Sequence, residues 1–176
     1  EGSNFSLTRS SAGAIYVCQR RYSIQPVEGA EHDFWKIAKS QGLIDFAQSL
    51  GEEMGSKQVT VRGEYLGPKV QSNIYKLRQN RVYLFDILVD GRYLNPERYL
   101  ALTENMLRAP VLSADKTLRQ WLSGRNIQDA SNGRSALYDT RREGVVITPW
   151  RESHVDSVGR LIIKQRSPEY LARSGF

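Results

Sequence analysis

Apolar and polar residues alternate along this chain with two different periods, and each period predicts a type of element. Runs that alternate with a period of two, or that consist of β-branched residues, are typical of strands. Strands are predicted at residues 4–8, 14–19, 58–66, 81–89, 145–147 and 161–163. Turn residues at 10–13 would join the first two strands, and a polar hairpin is predicted near residues 153–159.

Apolar residues spaced by three or four predict helices elsewhere. A helical region covers residues 32–50 and is interrupted at Gly42. Asn95 followed by Pro96 predicts a helix start, with the asparagine as cap. A shorter helix is predicted around residues 115–122, with Leu118 among its packed side chains, and residues 123–135 are predicted to form a loop or a frayed helix.

Strands therefore outnumber helices and do not alternate regularly with them, which favours an α+β fold with antiparallel sheets. The length of 176 residues fits a single domain over 1–176, with no separate C-terminal domain. No apolar run approaches the length of a membrane span, so no membrane association is expected, and a cytoplasmic location is the default. One cysteine excludes an internal disulfide framework.

Charge adds a weak indication of the partner. The net charge is +6, which favours a polyanion such as nucleic acid. Glu143 precedes one predicted strand and Lys164 follows another, so a carboxylate and an ammonium would stand at two strand ends. Such a pair can hold a metal or ribose and a phosphate; two ordinary strands that end at solvated charges are the alternative.

Two further acids lie in or at the end of strands. Glu64 stands between Gly63 and Gly67, and Asp86 lies inside an otherwise apolar run. A buried aspartate is costly unless it is paired or bound to a metal. Either acid could instead cap a turn or pair with an arginine.

The order of these segments resembles a known family. Six short motifs occur in the family's order: residues 1–6, Arg20, Gly63-Glu64, residues 85–87, residues 143–146 and residues 164–166. From Glu1 to Tyr170 the chain resembles the nucleotidyltransferase domain of ATP-dependent RNA ligases, in the RNA ligase 2-like branch. The resemblance implies two antiparallel sheets with flanking helices around a nucleotide cleft, an ATP-grasp-like nucleotidyltransferase domain.

The resemblance also implies a three-step reaction. A lysine takes AMP from ATP, the AMP moves to an RNA 5′-phosphate, and a 3′-hydroxyl then displaces it. The implied cofactors are ATP and Mg²⁺ or Mn²⁺, and the implied partner is RNA with 5′-phosphate and 3′-hydroxyl ends, nicked or paired. A monomer is expected.

Roles for individual residues follow from the same resemblance. The implied catalytic residues are Glu143, which also positions the metal, Lys164, Arg166, Asn4 and Arg20. The implied nucleotide-binding residues are Glu1, Gly2, Glu64, Phe85, Asp86 and Lys164. Phe85 would stack on adenine, Glu64 would hold the ribose hydroxyls, and Arg20 would contact a phosphate.

Two departures from the family pattern matter. The nucleophilic lysine is expected two residues before Glu1, so we expect an N-terminally truncated chain that does not adenylate itself. Arg166 stands where relatives usually have lysine, which keeps the charge and changes the geometry. The alternatives are a DNA ligase, an mRNA-capping guanylyltransferase, or a nucleic-acid-binding module without catalytic activity.

Overall fold

The computed structural model describes residues 2–174 of the chain. The chain divides into two compact units, Glu1–Ala109 and Pro110–Phe176, which are called the N-terminal and C-terminal units and are described separately. Whether they form one domain stays a prediction.

A six-stranded antiparallel sheet forms the framework of the N-terminal unit. Its strands are β1 (Ser3–Arg9), β2 (Ile15–Gln19), β3 (Tyr22–Ile24), β4 (Val59–Leu66), β5 (Arg81–Val89) and β6 (Arg92–Tyr93). Their order across the sheet is β3-β2-β1-β4-β5-β6. The four longest strands are those that the alternation pattern predicts, whereas β3 and β6 are too short to give a periodic signal.

Helices α1 (Asp33–Ser40) and α2 (Leu43–Glu53) belong to the same hydrophobic core as one face of this sheet. Gly42 separates them with φ +66°, a left-handed conformation that glycine adopts without strain. The His32 side chain accepts a hydrogen bond from the Phe34 amide at 3.1 Å and so caps α1. The predicted interruption of the helical region is confirmed.

The core lies on the face formed by every second residue of the central strands. Phe5, Leu7, Val61 and Leu84 are completely buried there. The alternate residues Asn4, Arg62 and Glu64 are only partly buried, so they form the opposite face. This opposite side is called the polar face of the sheet below.

Helix α3 (Pro96–Leu102) begins after Asn95, as predicted, although the asparagine side chain makes no capping hydrogen bond. The Tyr99 hydroxyl from α3 donates to the Leu84 carbonyl at 2.8 Å. Burial raises the pKa of Tyr99 to about 12. The helix is therefore attached near the middle of β5, which lies next to the edge strand β6.

The C-terminal unit contains shorter elements. They are α4 (Leu118–Leu122), α5 (Ile127–Ser131), β7 (Gly144–Ile147), β8 (His154–Val155), β9 (Gly159–Arg160), β10 (Ile163–Arg166) and α6 (Pro168–Ser174). β7 pairs with β10, and β8 pairs with β9 to form the predicted hairpin. The α+β fold with antiparallel sheets is confirmed.

Three predictions for this unit are wrong in detail. The helix predicted at 115–122 begins at Leu118, because the Thr117 and Gln120 side chains form a capping box there. Leu118 is 41% exposed, so it is not a core residue. The strand predicted at residues 161–163 lies later in the chain, because β10 covers Ile163–Arg166. The segment predicted as a loop or a frayed helix contains the short helix α5, which the Asn126 side chain caps at the Asp129 amide.

Among the described residues, no helix has both the length and the apolar character needed to cross a bilayer.

Candidate functional site

The register of three central strands places two of the predicted residues side by side. Asn4 of β1 lies opposite Glu64 of β4, and Glu64 lies opposite Tyr83 of β5. In antiparallel strands, residues directly opposite each other point to the same face. Asn4, Glu64 and Tyr83 therefore form a row across the polar face, near the end of the sheet where β1 and β5 begin and β4 ends.

Tyr83 is a member of this row that the sequence motifs did not indicate. Partial burial raises the pKa of its hydroxyl, and the nearby Arg81 opposes that rise. The phenol therefore stays neutral at physiological pH and can both donate and accept a hydrogen bond. An aromatic residue at an outward strand position was the only signal for it in the sequence.

Gly2 lies directly against the Glu64 side chain. A Cβ at Gly2 would stand 2.6 Å from both Cγ and Oε1 of Glu64, and the glycine has φ +118°. Both the close approach and the left-handed conformation require glycine. Glu1, the other predicted residue of this segment, lies outside the described residues.

Arg20 occupies the turn between β2 and β3, close to the same end of the sheet. Its backbone has φ +53°, its side chain is exposed, and its amide donates to the Asn4 carbonyl at 3.4 Å. The turn therefore holds the Arg20 backbone beside Asn4, while the guanidinium remains accessible to a phosphate.

A β-bulge orients Phe85 and Asp86. The β4–β5 register pairs Gly63 with Leu84 and Arg62 with Asp86, so Phe85 is the extra residue. Leu84 and Ile87 are buried on the core face, whereas Phe85 and Asp86 are both partly exposed. With strict alternation, Asp86 would point into the core; the bulge instead turns it to the polar face with Phe85.

Arg62, opposite this bulge, is a second residue that the motifs did not indicate. Its guanidinium donates to the Tyr93 hydroxyl at 2.7 Å and lies 5.6 Å from the centre of the Tyr93 ring. A cation held over an aromatic ring is favourable. Arg62 therefore carries a positive charge to the part of the polar face where Asp86 lies.

In the C-terminal unit, Glu143 and Gly144 stand where β7 meets β10. Gly144 pairs with Arg166, and the Ser167 amide donates to the Glu143 carbonyl at 2.8 Å. The Glu143 carboxylate is 3.5 Å from Nε of Arg166, and the two side chains are 30% and 63% exposed. The structure thus brings two predicted residues together in a partly solvated ion pair.

Lys164 lies on the same two-stranded ladder, opposite Val146. The side chains of Lys164 and Val146 are both exposed. The next residue along β7, Val145, points to the other face and is buried. Lys164 therefore projects its ammonium from the solvent-facing side of β7 and β10, where it can meet an anion.

Arg142, immediately before Glu143, has a structural contact that the sequence did not reveal. Its guanidinium donates at 2.8 Å to the carbonyls of both Ala130 and Ser131, and it also donates to the Asn132 carbonyl. Burial lowers the pKa of Arg142, and the positive charge of Arg125 adds to this effect. The side chain satisfies carbonyl groups at the end of α5 and so anchors α5 to the segment that leads into β7.

The residues present fit a divalent cation bound chiefly through its substrate. Within residues 2–174, no three His, Cys, Asp or Glu side chains gather into a metal-binding group. Mg²⁺ in nucleotide enzymes is typically held by one or two carboxylates together with phosphate oxygens and water. Glu143 offers one partly exposed carboxylate of that kind.

The two units account for all the predicted residues that lie within the described part of the chain. Gly2, Asn4, Arg20, Glu64, Phe85 and Asp86 belong to the N-terminal unit, and Glu143, Lys164 and Arg166 belong to the C-terminal unit. Within each unit the structure brings these residues close along the strands. That they all surround one ATP-sized hollow stays a prediction.

Comparison with known proteins gives independent evidence for the family and the fold of the chain. A family model described as RNA ligase matches residues 1–166 of the chain. No curated protein sequence matches the chain.

Solved structures of Naegleria gruberi RNA ligase are similar to the chain. The ligase with PPi has a TM-score of 0.75 at 24% identity and is matched over 99% of this chain and 49% of its own. A variant with ATP and Mn has a TM-score of 0.76 at 24% identity, with the same coverage. An apo variant has a TM-score of 0.73 at 26% identity and is matched over 98% of this chain and 48% of its own. The chain therefore spans about half the length of these structures and shares their nucleotidyltransferase-type fold.

Proposed function

Because the chain belongs to the RNA ligase family, we propose that the protein carrying it is an ATP- and divalent-metal-dependent RNA ligase. It seals RNA 5′-phosphate and 3′-hydroxyl ends through a lysyl-adenylate and an RNA-adenylate. The observation that carries the proposal is the row of Asn4, Glu64 and Tyr83 beside the bulge at Phe85. This arrangement offers an aromatic ring and hydrogen-bonding groups on one face of a rigid sheet.

ATP binding is assigned to the polar face of the N-terminal unit. Phe85 presents a ring to adenine, and the Glu64 carboxylate accepts hydrogen bonds from the ribose hydroxyls. The absence of a side chain at Gly2 leaves the backbone next to Glu64, where a nucleotide can approach closely. Solved structures of a relative contain ATP and Mn, which supports a nucleotide and a metal as ligands here.

Charge neutralisation is assigned to the C-terminal unit. The ammonium of Lys164 and the guanidinium of Arg166 stabilise negative charge on the phosphates, which grows as phosphoryl groups move. The Glu143 carboxylate helps to hold a divalent cation, which supplies further positive charge to the α-phosphate when it is bound. The ion pair between Glu143 and Arg166 already holds this carboxylate beside one of the two positively charged side chains.

RNA recognition is assigned to residues at the edge of the polar face of the N-terminal unit. Arg20 has an accessible guanidinium beside Asn4 and can contact an RNA phosphate. The net charge of +6 favours association with a polyanion. We propose that Asn4 orients the RNA end or the phosphate bound to the metal.

Covalent labelling tests the proposal. The protein, together with any residues that its gene encodes before Glu1, is incubated with α-labelled ATP and Mg²⁺ and then denatured. A label that stays attached to the protein and moves to a 5′-phosphorylated nicked RNA is the expected result. A full-length protein that never acquires label from ATP would contradict the proposal.

Two other functions give different results in the same assay. A DNA ligase would seal nicked DNA in preference to RNA, and a capping guanylyltransferase would take its label from GTP. A nucleic-acid-binding module would retain RNA without acquiring any label. Parallel reactions with labelled ATP and GTP on RNA and DNA nicks separate these functions.

A further inference from the structure

The loop between β4 and β5, residues 67–80, has an unusual backbone. Four residues other than glycine, Lys69, Gln71, Asn73 and Lys76, have φ between 43° and 63°. Such conformations are uncommon for residues with a Cβ, and they persist where the surrounding structure holds them. When strain of this kind is concentrated in one loop, it points to a role for that loop beyond joining two strands.

Hydrogen bonds within the loop hold this shape. The amides of Val70, Asn73 and Lys76 each donate to the carbonyl three residues earlier, at 3.2, 3.2 and 2.9 Å. The Asn73 side chain also donates to the Leu77 carbonyl and accepts from the Leu77 amide, both at 3.1 Å. The loop is therefore a series of closed turns with a defined path.

The two ends of the loop also meet closely. A Cβ at Gly67 would stand 2.4 Å from Oδ1 of Asn80, and Gly67 has φ +139°. The position therefore requires glycine, and the loop is closed at its base.

A side-chain hydrogen bond connects the loop to the segment that precedes the sheet. The side-chain amide of Gln71 donates a hydrogen bond to the backbone carbonyl of Gly2. Gln71 is an exposed residue, so it contributes little to the hydrophobic core. On its other side, Gly2 packs so closely against Glu64 and Leu66 that a Cβ would clash with both side chains. The backbone of Gly2 is thus held between β4 and the loop.

We infer that Gln71 is a positioning residue for the adenylation step, acting through the Gly2 carbonyl. This inference rests on the proposed function and on the expectation that the nucleophilic lysine lies two residues before Glu1, which is three residues before Gly2. Three residues span at most about 10 Å of chain, so a lysine at that position is attached within this distance of the Gly2 peptide that Gln71 holds. In that step the lysine Nζ bonds to the α-phosphorus, the bond to the bridging oxygen breaks, and pyrophosphate leaves as Nζ loses a proton to solvent.

The inference predicts that only one step of the reaction depends on Gln71. Small displacements of a nucleophile cost on the order of 100-fold in rate. Gln71→Ala should therefore lower the rate of enzyme adenylation at saturating ATP roughly 10- to 100-fold. The KM for ATP should change much less, because Gln71 holds the backbone of the nucleophile segment and not the nucleotide.

The experiment uses the full-length protein and compares two reactions. One is the single-turnover transfer of labelled AMP from ATP to the enzyme. The other is the sealing of a nicked RNA that already carries AMP on its 5′-phosphate, which needs no lysine adenylation. We expect Gln71→Ala to slow the first reaction and to leave the second, and the melting temperature, close to those of the wild type.

Two further variants isolate the hydrogen bond. Gln71→Glu keeps the size of the side chain but replaces the donor with a carboxylate, so it should lose at least as much activity as Gln71→Ala. Gln79→Ala changes a glutamine of the same loop whose side chain accepts a hydrogen bond from the nearby Arg81 at 2.5 Å. This control variant should adenylate normally.

The outcomes that overturn the inference are distinct. A normal adenylation rate in Gln71→Glu or Gln71→Ala removes any role for the hydrogen bond. An equal loss in both reactions, or a fall in melting temperature that accounts for the lost activity, assigns Gln71 to folding alone. If the wild-type protein forms no adduct with ATP, the proposed function fails, and this inference fails with it.

Discussion

Gly144 of β7 approaches Gln165 of β10 so closely that a Cβ on the glycine would stand 2.1 Å from the Gln165 carbonyl oxygen. The obstacle is backbone, so it cannot rotate away as a side chain would. Gly144→Ala should therefore separate β7 from β10 and lower the free energy of unfolding of the C-terminal unit by about 2 kcal/mol or more. Chemical denaturation measures the loss, and faster hydrogen exchange at the β7 and β10 amides would locate it.

Gly124→Asn is the matched control in the same unit. Gly124 has φ +80°, and a Cβ added there would meet no atom within 4 Å. Asparagine tolerates left-handed conformations better than most residues, so the stability of the variant should remain within about 1 kcal/mol of the wild type. Equal losses in the two variants would show that the close approach of the strands is not the cause.

Arg142 and Arg141 are neighbours with different expected contributions to stability. Arg142→Met removes hydrogen bonds to three backbone carbonyls and should cost roughly 2 kcal/mol. Arg141 pairs with Glu169 at 3.5 Å while both side chains remain about half exposed, so Arg141→Met should cost less than about 1 kcal/mol. Urea denaturation of the two variants provides the comparison, and the reverse order would contradict the anchoring of α5 by Arg142.

Tyr99 should make the N-terminal unit sensitive to alkaline pH. Burial raises the pKa of Tyr99 to about 12 from its ordinary value of 10.0, so above pH 10 the unfolded chain loses this proton before the folded chain does. Stability should therefore fall as the pH rises from 10 to 12, by about 2–3 kcal/mol from this group alone. Denaturation at a series of pH values measures the slope.

Tyr99→Phe tests the assignment, because it removes the titrating group. The variant should start less stable, since the bond to Leu84 is lost, and should then show a shallower alkaline decline. Tyr22→Phe, at a tyrosine that is 77% exposed, should keep the wild-type slope. A Tyr99→Phe profile parallel to the wild type would assign the alkaline loss to other groups.

Phe85 should determine the affinity for ATP more than the rate of chemistry. Stacking of a base on an aromatic side chain contributes about 1–3 kcal/mol. Phe85→Ala in the full-length protein should therefore raise the KM for ATP on the order of 10-fold or more, whereas Phe85→Tyr should retain most of the affinity. Adenylation rates over a range of ATP concentrations would show this, and an unchanged KM in Phe85→Ala would place adenine elsewhere.

Glu143 and Lys164 should be essential for the transfer of AMP from ATP to the protein. In the full-length protein, Glu143→Ala and Lys164→Ala should each abolish attachment of labelled AMP, because each removes a charge that the phosphates or the metal require. Glu97→Ala and Lys116→Ala change exposed residues of the same types and should adenylate normally. Normal adenylation by both Glu143→Ala and Lys164→Ala would contradict the assigned roles.

Much of the fold could be predicted because its signals are local. Alternation over residues 58–66 and 81–89 indicated β4 and β5, and Gly42 marked the break between α1 and α2. The elements that were missed, β3, β6 and α6, have three, two and seven residues. A strand of two or three residues contains too few positions for a period to be recognised, and its pairing depends on neighbours that are distant in the chain.

The bulge at Phe85 changes the spacing of buried residues along β5, and an expectation of strict alternation misses this change. Val82, Leu84 and Ile87 are buried, and the three-residue gap between the last two breaks the period of two. Strict alternation leads to the expectation of a buried Asp86, with the cost of an unpaired charge. The bulge avoids that cost, because it turns Asp86 to the polar face.

The sequence by itself determined the types of the long elements, the α+β class and the candidate residues, since these depend on residue chemistry and on neighbours a few positions away. The tertiary structure decided which residues share a face. The register places Asn4 beside Glu64, the bulge turns Asp86 to the polar face, and the loop brings Gln71 to Gly2. These relationships join residues far apart in the chain, so they depend on strand pairing and close packing, which no local pattern encodes.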